Sequence, residues 1–296
     1  MDYTVIKAID NENLYIKVYN IENPRGCIQV VHGMMEHQDR YEEFAHRMND
    51  LGYSVVTSDL RGHGKNAVNK GFFAKKNGHL LLISDQVTIT NFIQNVLDIH
   101  NIILFAHSMG SIIARNVLIN NSSSYSKVIL SGFPPYQSGA QAGLCVAGFI
   151  AFFKTNNGKS KILDKATLGS YMKAVKNRKT DADWVSVSQT NIDNYNNDEL
   201  CGVYFTCSAY KDLYRLVKGL HNKNTTNVVN MPILLLNGKQ DPVIGSTKGY
   251  NQTIKDLNRQ GFDNLKHVDF DNMRHEILNE DAKDLVYKEI EIFLGE

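Results

Sequence analysis

The chain is predicted to fold as an α/β protein with a mostly parallel twisted sheet, helices on both faces and an inserted helical segment. Three observations carry this expectation. Short apolar, β-branched runs alternate with helical patterns between residues 27 and 130, at the spacing of βαβ units. The alternation breaks after Pro134-Pro135, and residues 133–230 read as mostly helical with no clear buried strand. From Pro232 the strand and helix pattern resumes, which predicts a core of residues 1–132 and 231–296 carrying a helical lid of residues 133–230.

The elements follow in order. Residues 3–8 and 14–19, separated by Asp10-Asn11-Glu12-Asn13, read as an antiparallel hairpin. Cys27-Ile28-Gln29-Val30-Val31 is a buried strand, residues 41–51 a helix stopped by Gly52, and residues 53–57 the next strand. A helical pattern over 85–98 leads to the strand Ile102-Ile103-Leu104-Phe105, then to a helix reaching about Asn120 and a strand at 127–130. Within the insertion, helical patterns occupy 139–153, 160–174 and 212–221; afterwards come strands at 232–236 and 265–270 and a closing helix at 281–294.

Composition narrows the function classes. With 296 residues, 43% hydrophobic and 21% charged, the chain has the make-up of a folded globular protein able to bury a large core. A formal net charge of +1 with signs intermixed gives no electrostatic footprint for nucleic acid. Cys27, Cys145, Cys201 and Cys207 lack C-x-x-C spacing and sit in apolar or mixed segments, so buried free thiols and a reducing cytoplasmic setting are expected. The start Met1-Asp2-Tyr3-Thr4 lacks a signal-peptide pattern, and the longest apolar run, 140–153, is too short to span a bilayer.

The stretch Phe105-Ala106-His107-Ser108-Met109-Gly110 places one serine on a tight turn between a buried strand and a helix. Such a turn pushes the hydroxyl out of the sheet at a helix N-terminus, where backbone N–H groups favour negative charge on an attacked oxygen. Small residues are required two positions before and after the serine, and Ala106 and Gly110 meet that need. Four further motifs fall at the carboxyl ends of predicted strands, the edge where open parallel sheets bind ligands. They are His32-Gly33-Met34-Met35-Glu36-His37, Asp59-Leu60-Arg61-Gly62-His63-Gly64, Gly238-Lys239-Gln240-Asp241-Pro242-Val243 and Arg274-His275-Glu276.

A serine hydroxyl attacks efficiently only when an imidazole takes its proton and a carboxylate fixes that imidazole. An elbow of this type requires the chain order serine, acid, histidine. Of ten histidines only His267 and His275 follow Asp241, and His267 lies mid-strand, so Ser108, Asp241 and His275 are the expected triad. Asp212 and Asp269 are the rival acids. The N–H of Met109 and of Met34 are the expected oxyanion donors, with Gly33 allowing close approach. The Asp59 to Gly64 turn reads as a buttress.

Taken together, these motifs and Arg40-Tyr41 make the chain resemble the α/β-hydrolase superfamily over nearly its whole length, and within it the monoacylglycerol lipase and lysophospholipase group. The resemblance implies the same triad and oxyanion donors, a helical lid, and a pocket whose head-group end lies near Glu36 and Arg40. Ala106 departs from the commoner glycine by one methyl. Residues 140–153 are more apolar than a one-sided surface helix needs, which predicts an acyl tunnel walled in part by Phe149, or a face for transient peripheral membrane contact, against simple packing on the core. Trp184, after Asp181-Ala182-Asp183, reads as a lid core residue at a helix start. The expected activity is hydrolysis of carboxylic esters of lipid-like alcohols through an acyl-enzyme, on a small-molecule substrate, with no metal or organic cofactor. An aminopeptidase resembling proline iminopeptidases and a non-catalytic receptor or scaffold are the alternatives; the sequence carries no signal for oligomeric state.

Overall fold

Runs of valine, isoleucine and leucine that are buried along their whole length build the centre of the sheet. β3 (Gly26–Val31), β4 (Tyr53–Ser58), β5 (Ile102–His107) and β7 (Ile233–Gly238) are buried at every position, as strands covered on both faces must be. The computed structural model describes residues 3–222, 227–245 and 247–296; residues 1–2 of the amino-terminal reading and 223–226 of the insertion lie outside them. Among the described residues the sheet has eight strands in the order β1-β2-β4-β3-β5-β6-β7-β8.

β1 (Thr4–Lys7) and β2 (Asn13–Tyr19) form the expected hairpin, and β2 runs antiparallel to β4. Every later pairing is parallel, through β6 (Lys127–Ser131) to β8 (Leu265–Phe270). The order turns back at β3: β4 is added on one side and β5 on the other. That reversal opens a crevice at the carboxyl ends of β3 and β5. Both halves of the predicted chemistry, Gly33-Met34 and Ser108, leave the sheet there.

Two apolar layers cover the faces. α1 (Glu42–Asp50) and α9 (Asp284–Gly295) bury Phe44, Met48, Ile290 and Phe293 on one side, while α2 (Gly78–Asn95) and α3 (Met109–Asn121) bury Leu82, Ile89, Ile113 and Val117 on the other. Between β6 and β7 the chain forms α4 (Ala140–Lys154), α5 (Lys161–Ala174), α6 (Gln189–Asn197) and α7 (Cys207–Gly219). α7 packs against α4 and also against α2 and α3, which seats the insertion on the core.

Several boundaries differ from expectation. α2 begins at Gly78, seven residues before Asp85, because the segment Leu80-Leu81-Leu82-Ile83 already belongs to the helix. α7 begins at Cys207, where the Thr206 side chain caps the Ala209 N–H, so Asp212 is its sixth residue. α6 was not foreseen: QTNIDNYNN has poor helix formers, and the Ser188 cap with burial of Ile192 and Tyr195 holds it. α8 (Thr247–Gln260) joins β7 to β8, a second helix beyond those expected. Residues 181–185 form turns, so Trp184 does not start a helix. All four cysteines are free, but Cys145 is exposed on α4 while the other three are buried. No helix among the described residues is long and apolar enough to cross a membrane.

Candidate active site

Ser108 sits between β5 and α3 at φ 51° and ψ −120°, a conformation an L-residue adopts only when its surroundings force it. The forcing is visible two residues on, where Gly110 packs so close to the carbonyl oxygens of Val31 and His32 that a Cβ would overlap them. α3 thus butts against the end of β3, and the serine hydroxyl is turned out of the sheet.

The base and acid arrive from the last two strand ends. Ser108 Oγ lies 2.7 Å from His275 Nε2, and His275 Nδ1 lies 2.8 Å from Asp241 Oδ2. The second oxygen of Asp241 accepts from the Val243 N–H at 2.8 Å, which fixes the carboxylate plane. His275 and Asp241 are buried while Ser108 is only half-buried. Burial pushes the His275 imidazole down, but the adjacent Asp241 carboxylate outweighs it and the net shift is upward from 6.5. The rival acids are elsewhere: Asp212 pairs with His79 and Arg215, and Asp269 with His267.

The loop after β3 lies directly beside the serine. A Cβ on Gly33 would come 3.0 Å from the Ser108 Cβ, tighter than an ordinary contact, so glycine eases this approach. The Met109 N–H, first in α3, has no acceptor in its own helix. Met34 and Met109 both border the cavity described below. His32 bridges this loop to the Asp59 to Gly64 turn. Its Nε2 accepts from the Leu60 N–H at 2.9 Å, so its Nδ1 carries the proton and donates to the Gly33 carbonyl at 2.8 Å. Burial holds His32 at about 3, keeping it neutral in this role. The turn itself is a buttress, with Arg61 paired to both Asp85 and Asp10.

Glu36 and Arg40 differ in their relation to the cavity. Glu36 borders the cavity, but its carboxylate accepts from the Gly33 N–H and from the Tyr41 hydroxyl, bracing the loop from behind. Arg40 does not border it. Its guanidinium grips Glu276 at 2.5 and 2.7 Å, reaches Asn191 at 3.0 Å and lies over the Tyr195 ring. Burial works against Glu276 ionising, yet Arg40 holds it down at about 2, whereas burial leaves Glu36 raised. The ion-pair partner 236 residues away drew the arginine inward, something no local pattern signals.

Ser108 and His275 open onto a cavity of about 380 Å³ whose wall includes Ile112, Leu163, Leu213, Val217 and Trp184. Phe149 does not wall the cavity, contrary to expectation. α4 borders the cavity through Ala140, Ala142, Gly143 and Val146, and Phe149, one turn beyond Val146 on the same stripe, is 68% exposed. The helix has by then run past the cavity. Phe152 and Phe153 are 83% and 69% exposed, and the three rings pack edge-to-face at the surface. Trp184 and Tyr171, neither foreseen as site residues, do line the cavity, and Trp184 touches His275.

A parallel sheet with helices on both faces, an elbow serine at its switch point, and a histidine and aspartate on the final strand ends define the α/β-hydrolase class. The chain belongs to the family described as Hydrolase_4, serine aminopeptidase S33, whose profile matches residues 22–282. It is 28% identical over 130 residues to a monoglyceride lipase homolog of Monkeypox virus, covering 41% of this chain and 44% of that one. It is 25% identical over 242 residues to the monoglyceride lipase of Mus musculus, covering 77% of this chain and 69% of that one. The match thus spans under half of the viral relative's length. Among solved structures, a thermostable carboxyl esterase of Bacillus coagulans, crystallised with glycerol, superposes with a TM-score of 0.89 at 24% identity, covering 99% and 97% of the two chains.

Proposed function

We propose that this protein hydrolyses carboxylic esters of lipid-like alcohols, of the monoacylglycerol or lysophospholipid type, through an acyl-enzyme. The observation that carries the reading is the unbroken relay Ser108–His275–Asp241 at the edge of an apolar cavity. Ser108 Oγ attacks the ester carbonyl while His275 Nε2 accepts its proton and Asp241 holds the imidazole and balances its charge. The carbonyl oxygen, now negative, is met by the N–H groups of Met34 and Met109. Collapse of the intermediate breaks the acyl–oxygen bond, and His275 hands the proton to the departing alcohol. Water, deprotonated by His275, then releases the acid and restores Ser108. The acyl chain occupies the cavity, each buried methylene contributing about 0.8 kcal/mol. Residues 133–230 act as a lid over it, on a core of residues 1–132 and 231–296.

Ester rather than peptide cleavage is favoured by the state of the cavity's carboxylates. An aminopeptidase needs an anion free to meet a substrate ammonium. Glu36 and Glu276, the acidic side chains bordering the cavity among the described residues, are already engaged by Gly33 and Tyr41 and by Arg40 and Asn191. Labelling with a fluorophosphonate, followed by p-nitrophenyl esters and monoacylglycerols of graded chain length beside aminoacyl amides, tests the whole reading. Absence of labelling would leave a receptor or scaffold, and preferential amide cleavage would leave the peptidase.

The relatives named as monoglyceride lipases support a lipid substrate, and a second feature supports its delivery from a membrane. Phe149, Phe152, Phe153 and Ile162 are exposed on the insertion, and Ile162 lies on a groove walled by Lys154, Lys159, Lys161, Lys165 and Lys173 together with Asp164 and Asp181. Aromatic rings flanked by lysines suit a transient peripheral contact with an anionic bilayer. Flotation with vesicles with and without phosphatidylserine tests it; equal recovery in both, or none in either, defeats it. A reducing cytoplasmic location, supported by four free thiols, belongs to the same reading.

A further inference from the structure

The chain contains a single tryptophan, and it touches the histidine of the relay. The Trp184 ring centroid lies 5.1 Å from that of His275 with the planes tilted by 39°, and Tyr171 backs the indole at 5.6 Å. Both chain neighbours of His275 build this contact. Arg274 Nη1 donates to the carbonyls of Asp183 at 2.6 Å and Ser186 at 2.8 Å, and the Glu276 N–H donates to the carbonyl of Val185 at 2.7 Å. Glu280 closes the clamp by accepting from the N–H groups of Arg274, Val187 and Ser188. Residues 183–188 are therefore tied to the loop that carries the base, although they belong by sequence to the insertion.

We propose that Trp184 is a positioning residue for the general base: the clamp holds the indole against His275, where its π face stabilises the imidazolium formed as Ser108 attacks and keeps water off that side of the ring. A cation within about 6 Å of an indole centroid is attracted by the ring quadrupole, most strongly where water is excluded. The proposal rests on the reading of Ser108, His275 and Asp241 as a hydrolytic relay. The other groups facing His275 are Asp241 at Nδ1, the His107 ring at 4.7 Å, and Glu276 and Glu36. Glu276 is neutralised by Arg40, and burial keeps His107 uncharged by pushing it well below its usual value. Substitution at 184 leaves all of them in place, so changes in the titration of the base trace to the indole.

Two measurements on the full chain test this. The first is the acid limb of kcat/KM against pH for wild type, Trp184→Phe and Trp184→Leu. Phenylalanine and leucine open similar space for water, and only phenylalanine keeps a π face, so the Leu limb is expected below the Phe limb by about half a pH unit. Coincident limbs would overturn the proposal and leave Trp184 as filler. The second is intrinsic emission, which in this chain comes from Trp184 alone among tryptophans: protonation of His275 should quench it with the midpoint of the kinetic limb, and His275→Asn should abolish that titration. Emission that ignores pH in wild type, or titrates unchanged in His275→Asn, would also overturn the proposal. Because emission needs no turnover, it decides the contact even if fluorophosphonate labelling fails; failed labelling with an intact emission titration would sink the hydrolase reading and not the Trp184–His275 contact.

Discussion

Arg40 and Glu276 meet through two guanidinium–carboxylate bonds of 2.5 and 2.7 Å, and so fasten the loop after β3 to the residue that follows His275. Glu276 is buried and the Arg40 side chain only 11% exposed, with Glu36 3.5 Å from the same guanidinium. Removing the cation leaves two carboxylates in the interior with nothing to balance them. Arg40→Met should therefore destabilise the fold by about 3–5 kcal/mol in urea unfolding. Adding Glu276→Leu should recover much of that loss, and a double variant no more stable than Arg40→Met would show that the pair is not the cause.

Asp241 should act through His275 and not independently. Asp241→Asn keeps the size of the side chain but favours the wrong imidazole tautomer, and kcat for a soluble ester should drop by about 10⁴ as it does in other serine triads. Adding His275→Ala should cost little more. Additive losses measured on the two single variants and the double would show that the residues do not work as a unit.

The pH dependence has a definite sign. His275 must be neutral to accept the serine proton, and the net effect of burial and Asp241 is to raise its pKa above the ordinary 6.5. Activity should be lost on acidification through a midpoint above that value, with kcat/KM flat on the alkaline side of it. In Asp241→Asn the carboxylate is gone while the burial remains, so the residual activity should show its limb at lower pH. A limb that stays put in that variant would locate the titration on another group.

Two positions on α4 should separate the cavity from the surface. Val146 borders the cavity, so Val146→Asp should reduce kcat/KM for long-chain esters far more than for butyrate. Phe149 lies outside, so Phe149→Asp should spare dissolved esters of every length and weaken only turnover of substrate presented in vesicles. Loss of long-chain selectivity in Phe149→Asp would return that ring to the cavity wall.

The relay could be read from sequence because each member sits on a strand end and the elbow fixes the chain order, so locating β5, β7 and β8 located Ser108, Asp241 and His275. Trp184 escaped because its place depends on Arg274 reaching carbonyls 88 and 91 residues away. Phe149 misled for a different reason: a 3.6-residue stripe tells which side of α4 faces inward but not where the cavity ends along it. Glu36 borders the cavity, whereas the pairing of Arg40 with Glu276, near the carboxyl end, holds the arginine away from it. α6 was invisible because Ser188 and tertiary burial, not propensity, hold it.

The backbone at Ser108 sets durability against reactivity. Its φ of 51° with ψ −120° costs an L-residue about 1–3 kcal/mol that a glycine there would not incur. Ser108→Gly should therefore melt at a higher temperature than the wild type while losing all labelling by an active-site probe. A selection for heat tolerance alone would discard the nucleophile first, and thermostabilised variants of this chain must be screened for turnover as well as for melting.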